Sequence, residues 1–421
     1  MPDSTIIVGA RVFDGTGSPA VLADVVVTGK RITRVARSIP AGERGDAGVI
    51  DAAGATLMPG MIEGHTHLGF GSSVEHVATR RELAEEKTLL IAACGRVLLD
   101  SGFTSAYSGG NRMPQAEIAA RKAFAEGWLP GPRLRAASWE GSAGGGPGQA
   151  GGAFSFPGTE TRPSDPASVA KFVTDMAHLG VDIVKLNLTG ESALVAGTSQ
   201  ILQFTPEEVA AAGDAARAHG VWLTAHAHST DGIKLALRNG IRAIYHCSYA
   251  DDEAIDLLEA ARDDVFVAPT PGIIYAHLTD PAAPPDDPEE MRQTAASIKQ
   301  VAPELKRRGV RLVPGGDYGF PFNPIGRNAR DLRLFVDWFG FTPAEALRSA
   351  TQYGGQLMGM ADDLGLIREG YLADLLLIEG DPLQDISLLE EPAMISMIMK
   401  DGRLHKMPAE RVSRRPAPAA S

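Results

Sequence analysis

Cysteine is nearly absent from the 421-residue sequence, which contains only Cys94 and Cys247. Two cysteines so far apart cannot form a disulfide framework, and such scarcity is typical of proteins kept in a reducing compartment. The N-terminal residues lack a basic segment followed by a long apolar core, so no signal peptide is predicted. No uncharged window is long enough for a membrane span. We therefore expect a cytoplasmic protein with no membrane partner.

An excess of positive charge is also missing. The sequence has 40 Lys and Arg against 52 Asp and Glu, which gives a formal net charge of -12. Because nucleic-acid binding requires a basic surface, we expect no nucleic-acid partner. The 44% hydrophobic and 22% charged content is ordinary for a folded enzyme. A chain of this length predicts one large α/β domain and a smaller second one.

Both ends of the chain are rich in β-like segments. Residues 5–37 contain short apolar stretches separated by Gly-centred turns, and "LGLIREGYLADLLLIEG" and "ISMIMKDGRLHK" repeat this pattern near the other end. We interpret residues 1–57 and 361–421 as two parts of one small β-sandwich domain, with a disordered tail. Two separate β-rich ends are the alternative interpretation.

Between these ends, over residues 58–360, short apolar segments alternate with stretches of helical period. The segment "TPEEVAAAGDAARAHG" is typical of a helix, with Thr205 as N-cap and acidic residues in its first turn. Eight strands alternating with helices predict a (β/α)₈ TIM barrel within an α/β fold. The candidate strands are the segment that holds His65 and residues 102–110, 131–138, 181–188, 221–228, 241–248, 264–271 and 310–317.

Metal-binding residue types recur at the C-terminal ends of these strands, where TIM barrels carry their chemistry. The "HTH" pair alone is equally compatible with two buried strand histidines, since residues i and i+2 share a face. Several imidazoles with a carboxylate, however, suit Zn²⁺, with Mn²⁺ or Co²⁺ as alternatives. The strand-end residues are His65, His67, Lys185, His226, His228, His246 and Asp317.

Lys185 is unusual on an apolar strand, because a buried ammonium is costly and would repel a metal ion. Its neutral amine can instead react with CO₂ to give a carbamate, whose two oxygens can bridge two metals. An ion-paired or snorkelling lysine is the alternative. The four histidine-bearing strand positions around it favour the carboxylated lysine.

Two long motifs resemble the amidohydrolase superfamily, and the resemblance covers nearly the whole chain. They are "PGMIEGHTHLG" and "TPAEALRSATQYGGQLMGMADDLGLIREGYLADLLLIEGDPL". Within the superfamily, the sequence is similar to the branch of imidazolonepropionase-like and prolidase-like proteins, ochratoxin-cleaving amidases and phenylurea hydrolases. The resemblance implies a binuclear metal-dependent hydrolase with two divalent ions per chain. It also leads us to expect a homo-oligomer.

The resemblance implies a role for each strand-end residue. Hydroxide held by the metals would attack a carbonyl, with Asp317 as general base and then general acid. Spacing alone cannot decide between His226 and His228, and the family pattern "AHAH" makes His226 the ligand. The implied metal ligands are His65, His67, carboxylated Lys185, His226, His246 and Asp317. The expected substrate contacts are His228, Tyr249, Arg327 and Trp139.

Two segments depart from the family pattern. After strand three the sequence reads "GGGPGQ", with Pro147 where relatives carry a histidine, and "PIGRNARDL" lacks the histidine usual after strand eight. Both changes put recognition of a substrate carboxylate in doubt, although Arg327 offers a replacement contact. The Gly-rich residues 141–158 are interpreted as a lid or, alternatively, a disordered connector.

These observations predict hydrolysis of an amide-type C–N bond in a small molecule, such as an aryl amide, urea or carbamate. An aromatic substrate would suit an apolar pocket, for which the candidates are Trp139, Phe154, Phe156, Phe320 and Phe322. A dipeptidase, carboxypeptidase-like or N-acyl amino-acid amidohydrolase is the alternative. A cyclic amidase and a non-catalytic scaffold are less favoured.

Overall fold

The structure, a computed structural model, describes residues 4–73, 83–142, 165–191, 198–283, 288–407 and 412–413. Contacts divide the chain into two compact units. The first comprises Met1–Ile62, Asp100–Thr104 and Phe341–Ser421, and the second comprises Glu63–Leu99 and Ser105–Gly340. Within the described residues, every helix is too short or too polar to cross a membrane.

The strands and helices follow the alternation predicted from the sequence. The strands are β1 Ser4–Val12, β2 Val21–Thr28, β3 Arg31–Ala36, β4 Gly48–Asp51, β5 Thr56–Pro59, β6 Met61–Thr66, β7 Phe103–Ser108, β8 Arg133–Arg135, β9 Ala137–Gly141, β10 Ile183–Asn187, β11 Trp222–Ser229, β12 Ala243–Tyr249, β13 Phe266–Ala268, β14 Arg311–Leu312, β15 Leu375–Ile378, β16 Ile395–Lys400, β17 Arg403–Lys406 and β18 Val412–Ser413. The α-helices are α1 Ala84–Asp100, α2 Pro114–Ala125, α3 Pro166–Leu179, α4 Pro206–His219, α5 Thr230–Arg238, α6 Asp252–Ala260, α7 Pro271–Thr279, α8 Pro288–Arg307, α9 Arg330–Phe339, α10 Pro343–Arg348 and α11 Gly354–Leu357.

The first unit is built on one nine-stranded sheet with strands from both ends of the chain. Its order is β17-β16-β15-β5-β1-β2-β3, and β4 pairs with β1 and β18. Val25 and Val27 of β2 share one buried cluster with Met397 and Met399 of β16, although these strands are far apart in the sheet order. The sheet therefore curls over its own core, as expected of a sandwich.

The second unit contains the barrel. Strands β9 to β14 are hydrogen-bonded in chain order, and β6, β7 and β8 form a second set. Only Ala136 separates β8 from β9, so these two strands are halves of one barrel strand. The Gly64 N–H donates to the Pro314 carbonyl at 2.8 Å, and the His67 N–H donates to the Tyr318 carbonyl at 2.7 Å. These bonds join the first strand to the segment after β14, and the predicted (β/α)₈ fold is confirmed.

Helix α4 shows how the local sequence positions a barrel element. The Thr205 side chain accepts from the Glu208 N–H while the Glu208 side chain accepts from the Thr205 N–H, which is a capping box. The helix ends at Gly220, whose φ of 66° gives the left-handed conformation that terminates many helices. The N-cap predicted at Thr205 is confirmed, and the cap sets where the β10–α4 connection ends.

Candidate metal centre

The first two histidines lie side by side at the end of β6, and both are buried. Neither ring nitrogen of His65 has a hydrogen-bond partner. His67 Nδ1 lies 2.9 Å from the Gly110 carbonyl, which can only accept, so Nδ1 carries the proton and Nε2 keeps its lone pair. Asp317 Oδ1 lies 2.9 Å from His67 Nε2 and 3.5 Å from His65 Nε2. The three side chains therefore converge on one point.

Gly109 makes this pair of imidazoles sterically feasible. A Cβ atom at residue 109 would lie 2.8 Å from Nε2 of both His65 and His67, closer than real Cβ contacts allow. The two rings therefore require glycine at residue 109. This glycine is the first residue after β7.

Asp317 is held in a strained conformation. Its φ of 59° lies in the left-handed region, which non-glycine residues rarely adopt. Asn323 Nδ2 donates to the carbonyls of Gly316 at 2.8 Å and Asp317 at 3.0 Å. The buried Asp331 accepts from the Gly315 N–H and the Tyr318 hydroxyl, both at 2.9 Å. Two polar side chains that the sequence interpretation did not identify therefore fix the loop that carries Asp317.

His226 and His228 belong to one group that could hold a metal ion, but their hydrogen bonds differ. His226 Nε2 lies 2.9 Å from the Gly190 carbonyl, so Nε2 donates and Nδ1 keeps a lone pair. His228 is different, because its Nδ1 lies 2.9 Å from Ser248 Oγ and its Nε2 lies 3.2 Å from Glu191 Oε2. Both nitrogens of His228 are engaged, and this geometry favours His226 as the ligand.

His246 connects two groups of residues that could each hold a metal ion. Its Nδ1 lies 2.8 Å from Thr270 Oγ1, and its buried Nε2 has no hydrogen-bond partner. One group consists of His65, His246 and Asp317, whose ligand atoms lie within 4.8 Å of one another. The other consists of Glu191, His226, His228 and His246 by the same measure. The donor set therefore fits metal binding.

Lys185 is buried beside these groups. Its Nζ lies 3.2 Å from the Gly109 carbonyl and 4.4 Å from the centre of the Tyr245 ring, on which His65 also stacks. Burial lowers the pKa of Lys185, although nearby carboxylates, chiefly Glu140, oppose this effect. A lowered pKa increases the fraction of neutral amine, which is the form that reacts with CO₂.

Burial also favours the neutral form of three of these histidines. It lowers the pKa of His226 to about 3, with the neighbouring His228 as the next cause, and it lowers the pKa values of His65 and His246. For His67, burial acts in the same direction, but Asp317 more than offsets it and raises the pKa. Neutral imidazoles offer lone pairs, which a metal ion requires.

The four expected substrate contacts have different outcomes. His228 lies against the centre, with its ring stacked 4.2 Å from His246. Trp139 is half-buried near the end of β9, and Tyr249 is half-buried with its hydroxyl 2.7 Å from Thr294 Oγ1 on α8. Arg327 is exposed, and no contact joins it to the centre within the described residues. These assignments remain predictions.

An aromatic wall extends from the centre. Phe70 stacks on His67 with ring centroids 4.3 Å apart, Phe320 lies 5.3 Å from Phe70, and Phe322 lies 5.7 Å from Phe320. His277 continues the row at 4.6 Å from Phe322. The expected apolar residues Phe320 and Phe322 are part of this wall. Phe154, Phe156, Pro147 and most of the expected lid lie outside the described residues.

Sequence interpretation missed three polar residues at the strand ends. Glu140 follows Trp139 on β9, with Oε1 at 3.7 Å from His67 Nδ1. Asn187, two residues after Lys185, donates to Glu140 at 3.1 Å. Glu191 lies near His226 and His228. Glu140 and Asn187 lie on barrel strands and Glu191 lies in the segment after β10, positions that they share with ordinary polar residues of a barrel rim.

Comparison with known proteins places the chain in a family. The Amidohydrolase family model matches residues 56–405. Ochratoxinase from Aspergillus niger is 29% identical over 231 residues, which are 54% of this chain and 47% of that protein. An imidazolonepropionase from Sphingopyxis alaskensis is 28% identical over 185 residues, 43% of this chain and 41% of that protein. The chain therefore spans about half the length of the curated relatives it matches.

A solved structure supports the same relationship over nearly the full chain. The crystal structure of a Xaa-Pro dipeptidase with bound methionine in the active site has a TM-score of 0.84 and 27% sequence identity. The match covers 96% of this chain and 100% of the dipeptidase chain. The family resemblance predicted from the sequence motifs is confirmed, and the chain belongs to the Amidohydrolase family.

Proposed function

We propose that this protein is a binuclear metal-dependent hydrolase that cleaves an amide-type C–N bond in a small molecule. The observation that carries the proposal is the convergence of buried acceptor atoms without hydrogen bonds, namely His65 Nε2, His246 Nε2 and Asp317 Oδ1. Leaving a buried polar atom unsatisfied costs about 1–3 kcal/mol. Three such atoms in one place are explained by a cation that binds all of them.

The proposed ligands divide between two ions. His65, His67 and Asp317 would hold the first ion, His226 and His246 would hold the second, and carboxylated Lys185 would be a ligand of both. Zn²⁺ is the proposed metal, since imidazole and carboxylate ligands suit it, with Mn²⁺ or Co²⁺ as alternatives. When bound, such ions supply Lewis-acid activation of water and of a substrate carbonyl.

The chain itself supplies orientation and proton transfer. The carbonyls of Gly110 and Gly190 and the hydroxyl of Thr270 each fix one histidine ring, so that the remaining nitrogen faces the centre. Asp317 would accept a proton from the attacking water on its carboxylate and pass it to the leaving amine. Its fixed backbone keeps the carboxylate in place during both transfers.

The aromatic wall supports an aryl amide, urea or carbamate as substrate. The row of rings begins with Phe70, which stacks on His67, and continues to Phe320, which is half-buried and would offer an apolar face to a substrate ring. The alternative is a dipeptidase, a carboxypeptidase-like enzyme or an N-acyl amino-acid amidohydrolase. The specific observation for it is the likeness to a Xaa-Pro dipeptidase along nearly the whole chain.

Elemental analysis and a substrate panel test this proposal. Protein expressed with added zinc should contain about two metal ions per chain, and chelation should abolish hydrolysis that metal restores. The panel should compare anilides, phenylureas and aryl carbamates with dipeptides and N-acyl amino acids. A chain with clearly less than two ions would contradict the binuclear centre. A preference for substrates with a free carboxylate would favour the alternative.

We also propose that the protein works in the cytoplasm as a homo-oligomer. The two cysteines are free and buried, which is compatible with a reducing compartment. Leu89 and Val97 on α1 are exposed apolar residues that an interface between copies would cover. Light scattering coupled to size-exclusion chromatography would give the mass, and a monomer would contradict the oligomer.

A further inference from the structure

Glu140 lies at the same barrel end as the proposed metal ligands. In the parallel pairing of β9 and β10 it is the partner of Lys185. Its Oε1 atom lies 3.7 Å from His67 Nδ1. Gly110 makes room for it, because a Cβ at residue 110 would lie 2.8 Å from Glu140 Cγ. The chain thus builds space for a carboxylate next to the centre, although the proposed chemistry does not use it.

Of the two oxygens of Glu140, Oε2 accepts a hydrogen bond from Asn187, whereas Oε1 can accept one from a ligand. Asn187 Nδ2 donates to Glu140 Oε2 at 3.1 Å. His67 cannot donate to Oε1, because its Nδ1 proton is already given to the Gly110 carbonyl. Within the described residues, no other donor reaches Oε1, and 15% of the side chain is exposed. A ligand in the pocket can therefore reach Glu140.

Asn187 adds a second acceptor at the same place. It is 5% exposed, and its Nδ2 donates both to Glu140 and to Ser142 Oγ at 3.0 Å. The carboxylate can only accept, so the amide orientation is fixed by this pair. Its Oδ1 atom is consequently a buried acceptor, and it has no hydrogen-bond partner. Glu140 and Asn187 together present acceptors that lack donors.

Glu140 lies beside the metal centre, on the other side of the His67 ring. The nitrogen of His67 that keeps its lone pair is Nε2, whereas Glu140 lies near Nδ1. Lys185 is the strand partner of Glu140 and interacts with it electrostatically, and carboxylation would replace the positive charge of Lys185 with a negative one. Under the proposed function, this side of the pocket is therefore negative, and among the described residues Glu140 Oε1 and Asn187 Oδ1 are acceptors to which no group donates.

We propose that Glu140 and Asn187 form a cation subsite that selects substrates with a protonated amine close to the scissile bond. An ammonium has three N–H donors and no acceptor, which complements the available oxygens of both side chains. The charge-assisted bond to Glu140 provides the selectivity. This inference rests on the proposed hydrolase function and narrows its substrate class.

The kinetic test compares three 4-nitroanilides that differ in charge beside the amide, those of glycine, acetic acid and succinic acid. Wild-type protein should prefer the ammonium-bearing glycine anilide in kcat/KM by roughly 10- to 100-fold over the neutral one. Glu140→Gln should lose this preference through a raised KM for the glycine anilide, while it still hydrolyses the acetic anilide. Glu207→Gln, the same change at an exposed residue of α4, is the matched control and should keep the preference.

Two results of the kinetic test would overturn the proposal. One is an unchanged preference in Glu140→Gln. The other is a loss of bound metal in this variant together with loss of activity on all three anilides, because Glu140 would then hold metal and not substrate. Metal content is measured on every variant. The thermal midpoint is measured as well, so that unfolding is not mistaken for lost recognition.

A binding test keeps this inference separate from the hydrolase proposal. Benzylamine, benzyl alcohol and benzoate are titrated calorimetrically into the metal-loaded protein. Wild type should bind benzylamine most tightly, and Glu140→Gln should lose that advantage. If no anilide or other amide is hydrolysed but this pattern holds, the hydrolase proposal fails and the subsite stands. If anilides are hydrolysed without any amine preference in rate or binding, the subsite alone fails.

Discussion

Two aspartates, one in each unit, show how structural and functional carboxylates differ. Asp24 lies in the β-rich unit, where its Oδ1 accepts from the Gly9 N–H at 2.8 Å and its Oδ2 from the Ile39 N–H at 2.7 Å. Asp317 lies in the barrel unit with a left-handed backbone, and its buried Oδ1 has no hydrogen bond. Backbone N–H groups satisfy both oxygens of the Asp24 carboxylate, whereas Oδ1 of Asp317 remains available to a ligand.

This difference between Asp24 and Asp317 indicates where the protein tolerates polar atoms without hydrogen bonds. In the barrel, such atoms on His65, His246 and Asp317 occur together, and the surrounding groups fix their positions without satisfying them. Each would destabilise the fold if it stayed unpaired. Their clustering indicates that a ligand supplies the missing interaction, which is the pattern expected of a functional site.

The largest expected effect is the loss of activity in Asp317→Asn, and Asp24→Asn is the matched control. Asp317→Asn should lower kcat by about 10²- to 10⁴-fold, because the amide cannot accept a proton as a base. Asp24→Asn should leave kcat of the folded protein unchanged but lower its thermal midpoint, since one backbone N–H loses its acceptor at a cost of about 1–3 kcal/mol. Kinetics and thermal unfolding check both. If Asp24→Asn reduced kcat as strongly, the contrast between the two aspartates would be wrong.

A smaller effect is expected from a single methyl group next to the histidines. Gly109→Ala would place a Cβ 2.8 Å from Nε2 of His65 and His67, so the rings must shift and zinc affinity should fall by about 10- to 100-fold. Gly42→Ala is the matched control in the β-rich unit, because a Cβ there meets no atom within 4 Å. Competition with a chelator measures the affinities. Equal affinities in the two variants would show that the rings do not need the missing side chain.

Asn323→Ala tests whether the strained backbone of Asp317 depends on its side-chain support. The change removes both hydrogen bonds to the carbonyls of Gly316 and Asp317. We expect kcat to fall by roughly tenfold with metal content unchanged, since misplacing a catalytic group by about 1 Å can cost more than that. Activity at unchanged level would mean that Asp331 alone holds the loop.

The sequence predicted the barrel and the strand-end residues because each one interrupts a regular apolar strand. His65, Lys185 and His246 stand out in this way, and the structure brings them together. Glu140 and Asn187 also lie on strands, but nothing in their spacing distinguishes them from ordinary polar residues at a barrel rim. Their significance depends on contacts between neighbouring strands, which one sequence does not reveal.

The choice between His226 and His228 shows the same limit. Both lie on one face of β11, so periodicity treats them alike. What separates them is the partner of each nitrogen, and those partners come from other parts of the chain, Gly190, Ser248 and Glu191. Partners distant in sequence are set by tertiary packing and cannot be derived from local spacing.

The last expected effect is on stability and concerns a third carboxyl, the buried Glu117 on α2. Its Oε2 accepts from the Ala137 N–H at 2.9 Å, and its Oε1 has no hydrogen bond. Glu117 therefore combines a backbone-bonded oxygen, as in Asp24, with an oxygen that lacks a hydrogen bond, as in Asp317. Burial raises the pKa of Glu117 from 4.5 to about 7. The folded state therefore binds the proton more tightly than the unfolded state, and stability falls as pH rises from about 4.5 to about 7.

Glu117→Gln removes this titration while it keeps an oxygen for the Ala137 N–H. The variant should be less sensitive to pH, so that wild type loses stability relative to it by on the order of 3 kcal/mol between pH 4.5 and pH 7. Thermal midpoints of the two metal-loaded proteins across this range provide the measurement. A difference in thermal midpoint that stays constant at all pH values would show that the pKa of Glu117 is not raised. A buried carboxyl with one unpaired oxygen would then not by itself destabilise the protein. In that case the unpaired atoms of His65, His246 and Asp317 would indicate a ligand site only because they lie close together.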